Sequence, residues 1–218
     1  MKLSTVLFDF DGTLANTLPL TIYGMQQVFE KYDHQSFDEE GIIDMFGLPE
    51  DGMIAENFRN KENVPVAIDR YYQIYQSEHE RLVEKNPEIV TLLRYLKERN
   101  IQVGVITGKS RRAYRLSEKA LGFEGVFQSV ITGDEVKSHK PDPEGILRTL
   151  QLFQAKKEES IYIGDSNSDV LAGQAAGIHT AGVHWLPVSQ SKAFPARPDF
   201  YWTKVDECLR LLQTSEVL

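Results

Sequence analysis

The sequence is poor in cysteine, in basic residues and in long apolar runs, and each shortage excludes a class of protein. Cys208 is the one cysteine among 218 residues, so an intrachain disulfide is impossible and nothing indicates an oxidising compartment. No apolar run approaches the ~18 residues of a transmembrane helix, and no signal peptide precedes the first apolar stretch. We therefore expect a cytoplasmic protein with no membrane partner.

The charge balance is acidic. Lysine and arginine number 24 against 32 aspartates and glutamates, a formal net charge of -8. Because nucleic acids and acidic membranes attract basic surfaces, we expect no nucleic-acid partner. What the chain does contain is enough apolar sequence for a substantial core, since 41% of its residues are hydrophobic.

The most informative motif is Asp9-Phe10-Asp11-Gly12-Thr13, which follows an apolar run from Leu3 to Phe8. The run is typical of a buried parallel strand, so both aspartates emerge at a strand's carboxyl end, where open α/β sheets bind ligands. Two carboxylates one residue apart repel each other, and a cation or a proton relieves the repulsion. The pair indicates a hard metal ion and acid/base chemistry; an Asp-rich turn is the alternative for this motif alone.

A second strand signal is followed by a hydroxyl and a helix start. Residues 101–106 form a β-branched apolar run that ends in Thr107-Gly108-Lys109-Ser110. Ser110 can cap the helix that begins there. A hydroxyl together with free backbone amides at a helix N-terminus predicts a phosphate site.

Two further strand signals precede a lysine and two acids. Lys140, fixed by neighbouring prolines, follows the short strand 130–131 and supplies a positive charge. The strand at 160–163 precedes Asp165 and Asp169, which are four residues apart, so we expect them to share one helical face. A third acid is thus predicted at the same edge of the sheet.

The periodicity of the apolar residues divides the chain into two parts. From residue 87 onward strand and helix signals alternate, whereas residues 15–85 show only helical periodicity. We interpret the aromatic repeat of the second half of that segment, which includes Tyr71 and Tyr75, as a helix-bundle core. The segment therefore looks like a helical subdomain inserted after the first strand.

The acid pair, the hydroxyl, the lysine and the further acid occur in this order, each after a strand. On these motifs the chain resembles the haloacid dehalogenase superfamily of phosphotransferases. The resemblance implies an α/β fold: a Rossmann-like parallel sheet with an inserted α-helical cap, as in phosphoglycolate phosphatases and β-phosphoglucomutases. We expect a core of residues 1–15 and 86–218 and a helical cap of residues 16–85.

The resemblance also implies roles for individual residues. Asp9 would be the nucleophile that forms an aspartyl-phosphate, and Asp11 the general acid and base. Lys140 would draw charge from the phosphoryl oxygens. The cofactor would be Mg²⁺, bound by the Asp9 carboxylate, the backbone carbonyl of Asp11 and the Asp165 carboxylate.

Four other interpretations concern residues around this site. Thr107 and the amide of Gly108 would bind phosphate oxygens. Asp169 would orient a metal-bound water or Lys140. We interpret Lys109 as a solvated lysine at a helix start, with a second phosphate contact as the alternative. The segment 47–52 is either a substrate-selecting loop or a plain interhelical turn.

The function predicted on this basis is a Mg²⁺-dependent phosphatase for a small phosphorylated metabolite, resembling phosphoglycolate phosphatases and related pyrophosphatases. A phosphosugar mutase and a non-catalytic binding protein are the alternatives. A non-catalytic protein has no need for all of Asp9, Asp11, Asp165 and Lys140, so their presence counts against that alternative. We expect a small-molecule phosphorylated substrate as the partner and a monomer or homodimer.

Overall fold

The computed structural model describes residues 2–214 and contains a six-stranded sheet in which every strand pairing is parallel. The strands are β1 (Thr5–Phe8), β2 (Gln102–Ile106), β3 (Ser129–Ile131), β4 (Ser160–Gly164), β5 (His179–Val183) and β6 (Phe200–Trp202). They lie in the order β3-β2-β1-β4-β5-β6. The order reverses between β1 and β4, and the carboxyl ends of strands at such a reversal form the crevice in which α/β proteins bind ligands.

Strand β1 forms the centre of the sheet because it is apolar on both faces. Val6 pairs in register with Val103 of β2 and Ile161 of β4. All of β1 is buried. Complete burial of one such side chain contributes about 1.5–3 kcal/mol, so this strand anchors the segment that carries the first acidic motif.

Nine α-helices surround or extend the sheet within residues 2–214. They are α1 (Leu18–Asp33), α2 (Glu39–Ile43), α3 (Glu50–Asn57), α4 (Val64–Leu82), α5 (Pro87–Glu98), α6 (Arg111–Leu121), α7 (Glu144–Phe153), α8 (Asn167–Ala176) and α9 (Val205–Thr214). The arrangement confirms the predicted α/β fold with a Rossmann-like sheet and an inserted helical cap. None of the helices in this part of the chain combines the length and apolarity needed to cross a bilayer.

Capping residues determine where α6 and α8 begin, the helices that follow the central strands β2 and β4. Helix α6 begins where the Ser110 hydroxyl accepts a hydrogen bond from the backbone of Ala113, and it ends at Gly122, whose φ is 66°. Helix α8 begins with a capping box between Ser166 and Asp169. Both caps sit immediately after a strand, so they also position the residues that precede them.

Helices α1 to α4 pack as a unit against α6. Tyr71 of α4 lies against Gly24 of α1, where a Cβ would be 2.8 Å from the ring's Cε2 atom. Tyr75 is buried and its hydroxyl hydrogen-bonds the Ser117 hydroxyl of α6 at 2.8 Å. The aromatic repeat of α4 therefore forms core, as its periodicity indicates, and it joins the inserted helices to the sheet-bearing part. The boundaries at residues 15/16 and 85/86 stay predictions.

Strand β6 was not predicted from the sequence. It has only three residues, lies at the sheet edge and exposes 53% of Tyr201, so no apolar run marks it. Trp202 stacks on Trp185, and the indole nitrogen of Trp185 donates a hydrogen bond to the Thr13 carbonyl at 2.8 Å. This contact ties the far end of the chain to the loop after β1.

Candidate active site

The loop after β1 turns tightly beneath Asp165. The amide of Asp9 donates to the Ile163 carbonyl, which continues the β1–β4 pairing to the first aspartate. Gly12 has a φ of 76°, and a Cβ at this position would lie 2.2 Å from Asp165 Oδ2. Only glycine meets both demands, so Gly12 brings the two acidic segments together.

Asp9, Asp165 and Asp169 form a buried acidic cluster. One carboxylate oxygen of each lies within 4.8 Å of the others, and all three residues are buried. The expectation that Asp165 and Asp169 share a helical face is wrong. Helix α8 begins at Asn167, so Asp165 stands in the turn before it, and the sharp start of the helix brings the two acids together instead.

Lys140 bridges the cluster. Its Nζ lies 2.9 Å from Asp9 Oδ1 and 2.6 Å from Asp169 Oδ1. Asp169 also accepts hydrogen bonds from the hydroxyls of Tyr162 (3.0 Å) and Ser166 (2.6 Å). With both oxygens engaged, Asp169 positions the lysine.

The cluster carries more negative charge than Lys140 compensates. Burial, together with the charges of Asp169 and Asp11, raises the pKa of Asp9 to about 7 despite the opposing effect of Lys140. Burial, followed by the charges of Asp9 and Asp169, raises the pKa of Asp165 well above its ordinary value. Asp9 Oδ2 is buried and has no hydrogen-bond partner. An unpartnered carboxylate oxygen beside a second buried carboxylate fits a hard divalent cation such as Mg²⁺, which prefers oxygen ligands.

The predicted phosphate residues lie at the end of β2. The Thr107 amide donates to the Ile131 carbonyl of β3, and the Thr107 hydroxyl accepts a hydrogen bond from the Lys109 amide at 3.2 Å. At Gly108, a Cβ would meet no atom within 4 Å, so the backbone here is open to a ligand. Thr107, Gly108 and Lys140 line the same cavity.

Lys109 is not solvated, contrary to our interpretation of the sequence. Its side chain is 1% exposed, and Nζ lies 2.8 Å from Asp11 Oδ1 and 3.1 Å from Glu50 Oε1. Burial alone lowers the pKa of Lys109, but the charges of Asp11 and Glu50 contribute to raising it well above its ordinary value. Asp11 Oδ1 also accepts a hydrogen bond from the Thr17 hydroxyl. Two donors thus hold the carboxylate of Asp11.

Glu50 is the residue that sequence reasoning missed. It is the first residue of α3, it is 3% exposed, and its Oε2 accepts a hydrogen bond from the Ser110 amide at 2.7 Å. The sequence predicts either a substrate-selecting loop or an interhelical turn for the segment 47–52, but no local pattern singles out this glutamate. Its partners lie about half-way along the chain, at the start of α6.

A cavity of about 130 Å³ connects these groups. Its walls include Asp11, Thr107, Gly108, Lys109 and Lys140 on one side and Leu18, Phe46, Leu48, Glu50 and Met53 on the other. The second set comes from α1, α3 and the loop before α3. Apart from Glu50, the charged residues of the lining thus lie on the sheet side, and the wall from the inserted helices is largely apolar.

Comparison with known proteins relates this arrangement to one family. Residues 6–183 match the model of the haloacid dehalogenase-like hydrolases. The pyrophosphatase PpaX of Anoxybacillus flavithermus is 32% identical over 214 residues, a match that covers 97% of this chain and 98% of the relative.

Solved structures agree on the fold. A predicted phosphoglycolate phosphatase from Haemophilus somnus superposes with a TM-score of 0.83 at 18% identity, covering 97% of this chain and 98% of that one. A Thermotoga maritima protein provisionally assigned as a β-phosphoglucomutase has a TM-score of 0.75 at 27% identity and covers 100% of both chains.

Proposed function

The chain belongs to the haloacid dehalogenase-like hydrolases and is a phosphatase of that family, and we propose that it hydrolyses a small phosphorylated metabolite with Mg²⁺ through an aspartyl-phosphate. The observation that carries the proposal is the carboxylate of Asp9. One of its oxygens is bonded to Lys140, and the other is buried without a hydrogen-bond partner. Candidate substrates are phosphoglycolate, pyrophosphate and sugar phosphates, and the small cavity supports a small substrate.

The first half of the reaction is a transfer of the phosphoryl group to Asp9. A carboxylate oxygen attacks phosphorus, the bond from phosphorus to the leaving oxygen breaks, and Asp11 gives that oxygen a proton. Asp9 and Asp165, with the backbone carbonyl of Asp11, would hold Mg²⁺, which when bound offsets the negative charge that the phosphoryl group brings. Lys140 contributes to the same neutralisation, and Asp169 keeps its ammonium group in place.

The second half is hydrolysis of the aspartyl-phosphate. Asp11 takes a proton from water, the water oxygen attacks phosphorus, and the acyl-phosphate bond breaks to release phosphate and the Asp9 carboxylate. Thr107 and the Gly108 amide bind the phosphoryl oxygens in both halves. The hydrogen bonds from Thr17 and Lys109 hold Asp11 where it can serve as acid and then as base.

The test is phosphate release from a panel of phosphorylated metabolites with Mg²⁺. Asp9→Asn keeps the shape of the side chain but removes the anionic nucleophile, so we expect the rate to fall by at least about 1,000-fold. Asp206→Asn, on the exposed face of α9, is the matched control and should retain full activity. Undiminished activity of Asp9→Asn, or full wild-type activity in EDTA, would contradict the proposal.

A phosphosugar mutase remains the second candidate because of the likeness to the Thermotoga maritima structure. The two activities differ in the acceptor of the phosphoryl group, which is water in one and a sugar phosphate in the other. With β-glucose 1-phosphate as substrate, isomerisation that outpaces phosphate release would favour the mutase.

A further inference from the structure

The cationic groups of the cavity are already committed to the protein's own carboxylates. Among the described residues that line it, the lysines are Lys109 and Lys140, and no arginine is present. Lys140 binds Asp9 and Asp169, whereas Lys109 binds Asp11 and Glu50. The phosphoryl group of a substrate would approach Lys140, which leaves Lys109 as the cation facing the leaving group.

Glu50 occupies the place that a second anion of the substrate would need. Its two oxygens engage the Lys109 ammonium at 3.1 Å and the Ser110 amide at 2.7 Å. An ammonium group and a free amide at a helix N-terminus are the donors that a carboxylate or second phosphate would use. Here the protein supplies that anion itself, from a side chain that is 4% exposed.

The charges around the leaving group therefore leave no net positive charge to bind an anion, and Glu50 repels one. Glu50 contributes one negative charge against the one positive charge of Lys109, and Asp11 adds none while it carries the proton that it gives to the leaving oxygen. The neighbouring walls from the inserted helices are apolar, with Leu18, Leu48 and Met53 facing the cavity. An anionic leaving group would lose its hydration there without gaining a free cation.

We propose that the substrate's leaving group carries no anionic group, and that Glu50 is the residue that selects against one. The favoured substrates are phosphate monoesters of uncharged alcohols, such as polyols or sugars. Phosphoglycolate, pyrophosphate and sugar bisphosphates are poor substrates because each brings a second anion toward Glu50. The inference rests on the proposed phosphatase activity and names the substrate class for that site.

Matched substrates that differ in one group test the inference. Glycerol 3-phosphate and 3-phosphoglycerate differ by a hydroxymethyl group in place of a carboxylate, and 2-hydroxyethyl phosphate and phosphoglycolate differ in the same way. We expect wild-type kcat/KM to favour the uncharged member of each pair by about tenfold or more, as an unpaired like charge in a partly buried site requires. Equal rates, or preference for the carboxylates, would overturn the inference.

A variant of the selecting residue provides the second readout. Glu50→Gln keeps the hydrogen bond from Ser110 and removes the charge, so the preference should shrink by about tenfold, mainly through faster hydrolysis of the carboxylate substrates. Glu56→Gln, which removes an exposed charge from the same helix, should leave the preference unchanged. An unchanged preference in Glu50→Gln would overturn the inference.

The outcomes separate the inference from the function on which it rests. If Glu50→Gln fails to fold, which circular dichroism would reveal, the wild-type preference within each pair still decides. Hydrolysis that prefers carboxylates leaves the phosphatase proposal standing and refutes the role of Glu50. An absence of phosphate release from every substrate refutes both.

Discussion

Replacing Lys109 with methionine should destabilise the protein far more than an ordinary surface substitution. Methionine is close to lysine in length and apolar, so Lys109→Met keeps much of the packing and removes only the charge. The ammonium group lies 2.8 Å from Asp11 and 3.1 Å from Glu50, and its side chain is 1% exposed. Without it, two carboxylates face each other with no cation between them.

The size of the effect follows from burial. Removing one partner of a buried ion pair costs about 3–5 kcal/mol because the remaining charge is left uncompensated. The Asp11 side chain is 12% exposed and the Glu50 side chain 4%, so water relieves the first carboxylate in part and the second hardly at all. We expect a loss of about 3 kcal/mol, a large share of the 5–15 kcal/mol typical of a folded protein.

The assay is urea unfolding followed by far-ultraviolet circular dichroism. Lys119→Met, an exposed lysine of the same helix, is the control and should change the free energy of unfolding by no more than about 0.5 kcal/mol. Adding Glu50→Gln to Lys109→Met should recover part of the loss, because it removes one of the two stranded charges. A loss for Lys109→Met no larger than that of the control would refute the buried ion pair.

Two further predictions concern the acidic cluster. In a chelator, stability should fall as the pH rises from about 4 to about 7, because the folded pKa of Asp9 is raised to about 7 while the unfolded carboxyl ionises near its model value of 3.8. Mg²⁺ should therefore raise the melting temperature more near pH 8 than near pH 5, and equal shifts would contradict this reasoning. Gly12→Ala places a Cβ 2.2 Å from Asp165 Oδ2, so we expect Mg²⁺ affinity and activity to drop by about 100-fold, and a thermal-shift titration matching wild type would argue against it.

The part of the site that the sequence predicts is the part that follows from strand ends. Asp9 and Asp165 follow β1 and β4, and Thr107 follows β2, and these strands are neighbours in the sheet. Because the carboxyl ends of parallel strands meet at one edge of the sheet, strand signals followed by polar residues are sufficient to predict that these side chains lie close together. The catalytic and metal-binding roles of these residues stay predictions.

The part that the sequence does not predict depends on how distant elements pack. The burial of Lys109 requires Glu50, which is separated from its partner Ser110 by 60 residues and reaches it only because α3 lies against the start of α6. A lysine beside a helix N-terminus is usually solvated, and no spacing rule reveals a glutamate contributed by another helix. Strand β6 is missed for a different reason, since its three residues at the sheet edge, of which one is exposed and one is buried, are too few to show a period.

The bridge made by Lys140 gives the site a dependence on the integrity of the whole fold. The lysine is 131 residues from Asp9 and 29 residues from Asp169 along the chain, and each of the three belongs to a different strand-and-helix unit. An opening of the β3–α7 segment alone would withdraw the ammonium group and leave three carboxylates facing one another. Repulsion among the three carboxylates would then favour further opening, so we expect opening of this segment to be coupled to unfolding of the centre of the sheet. Selection for activity in such a protein is at the same time selection for an edge strand, β3, that stays paired with the rest of the sheet.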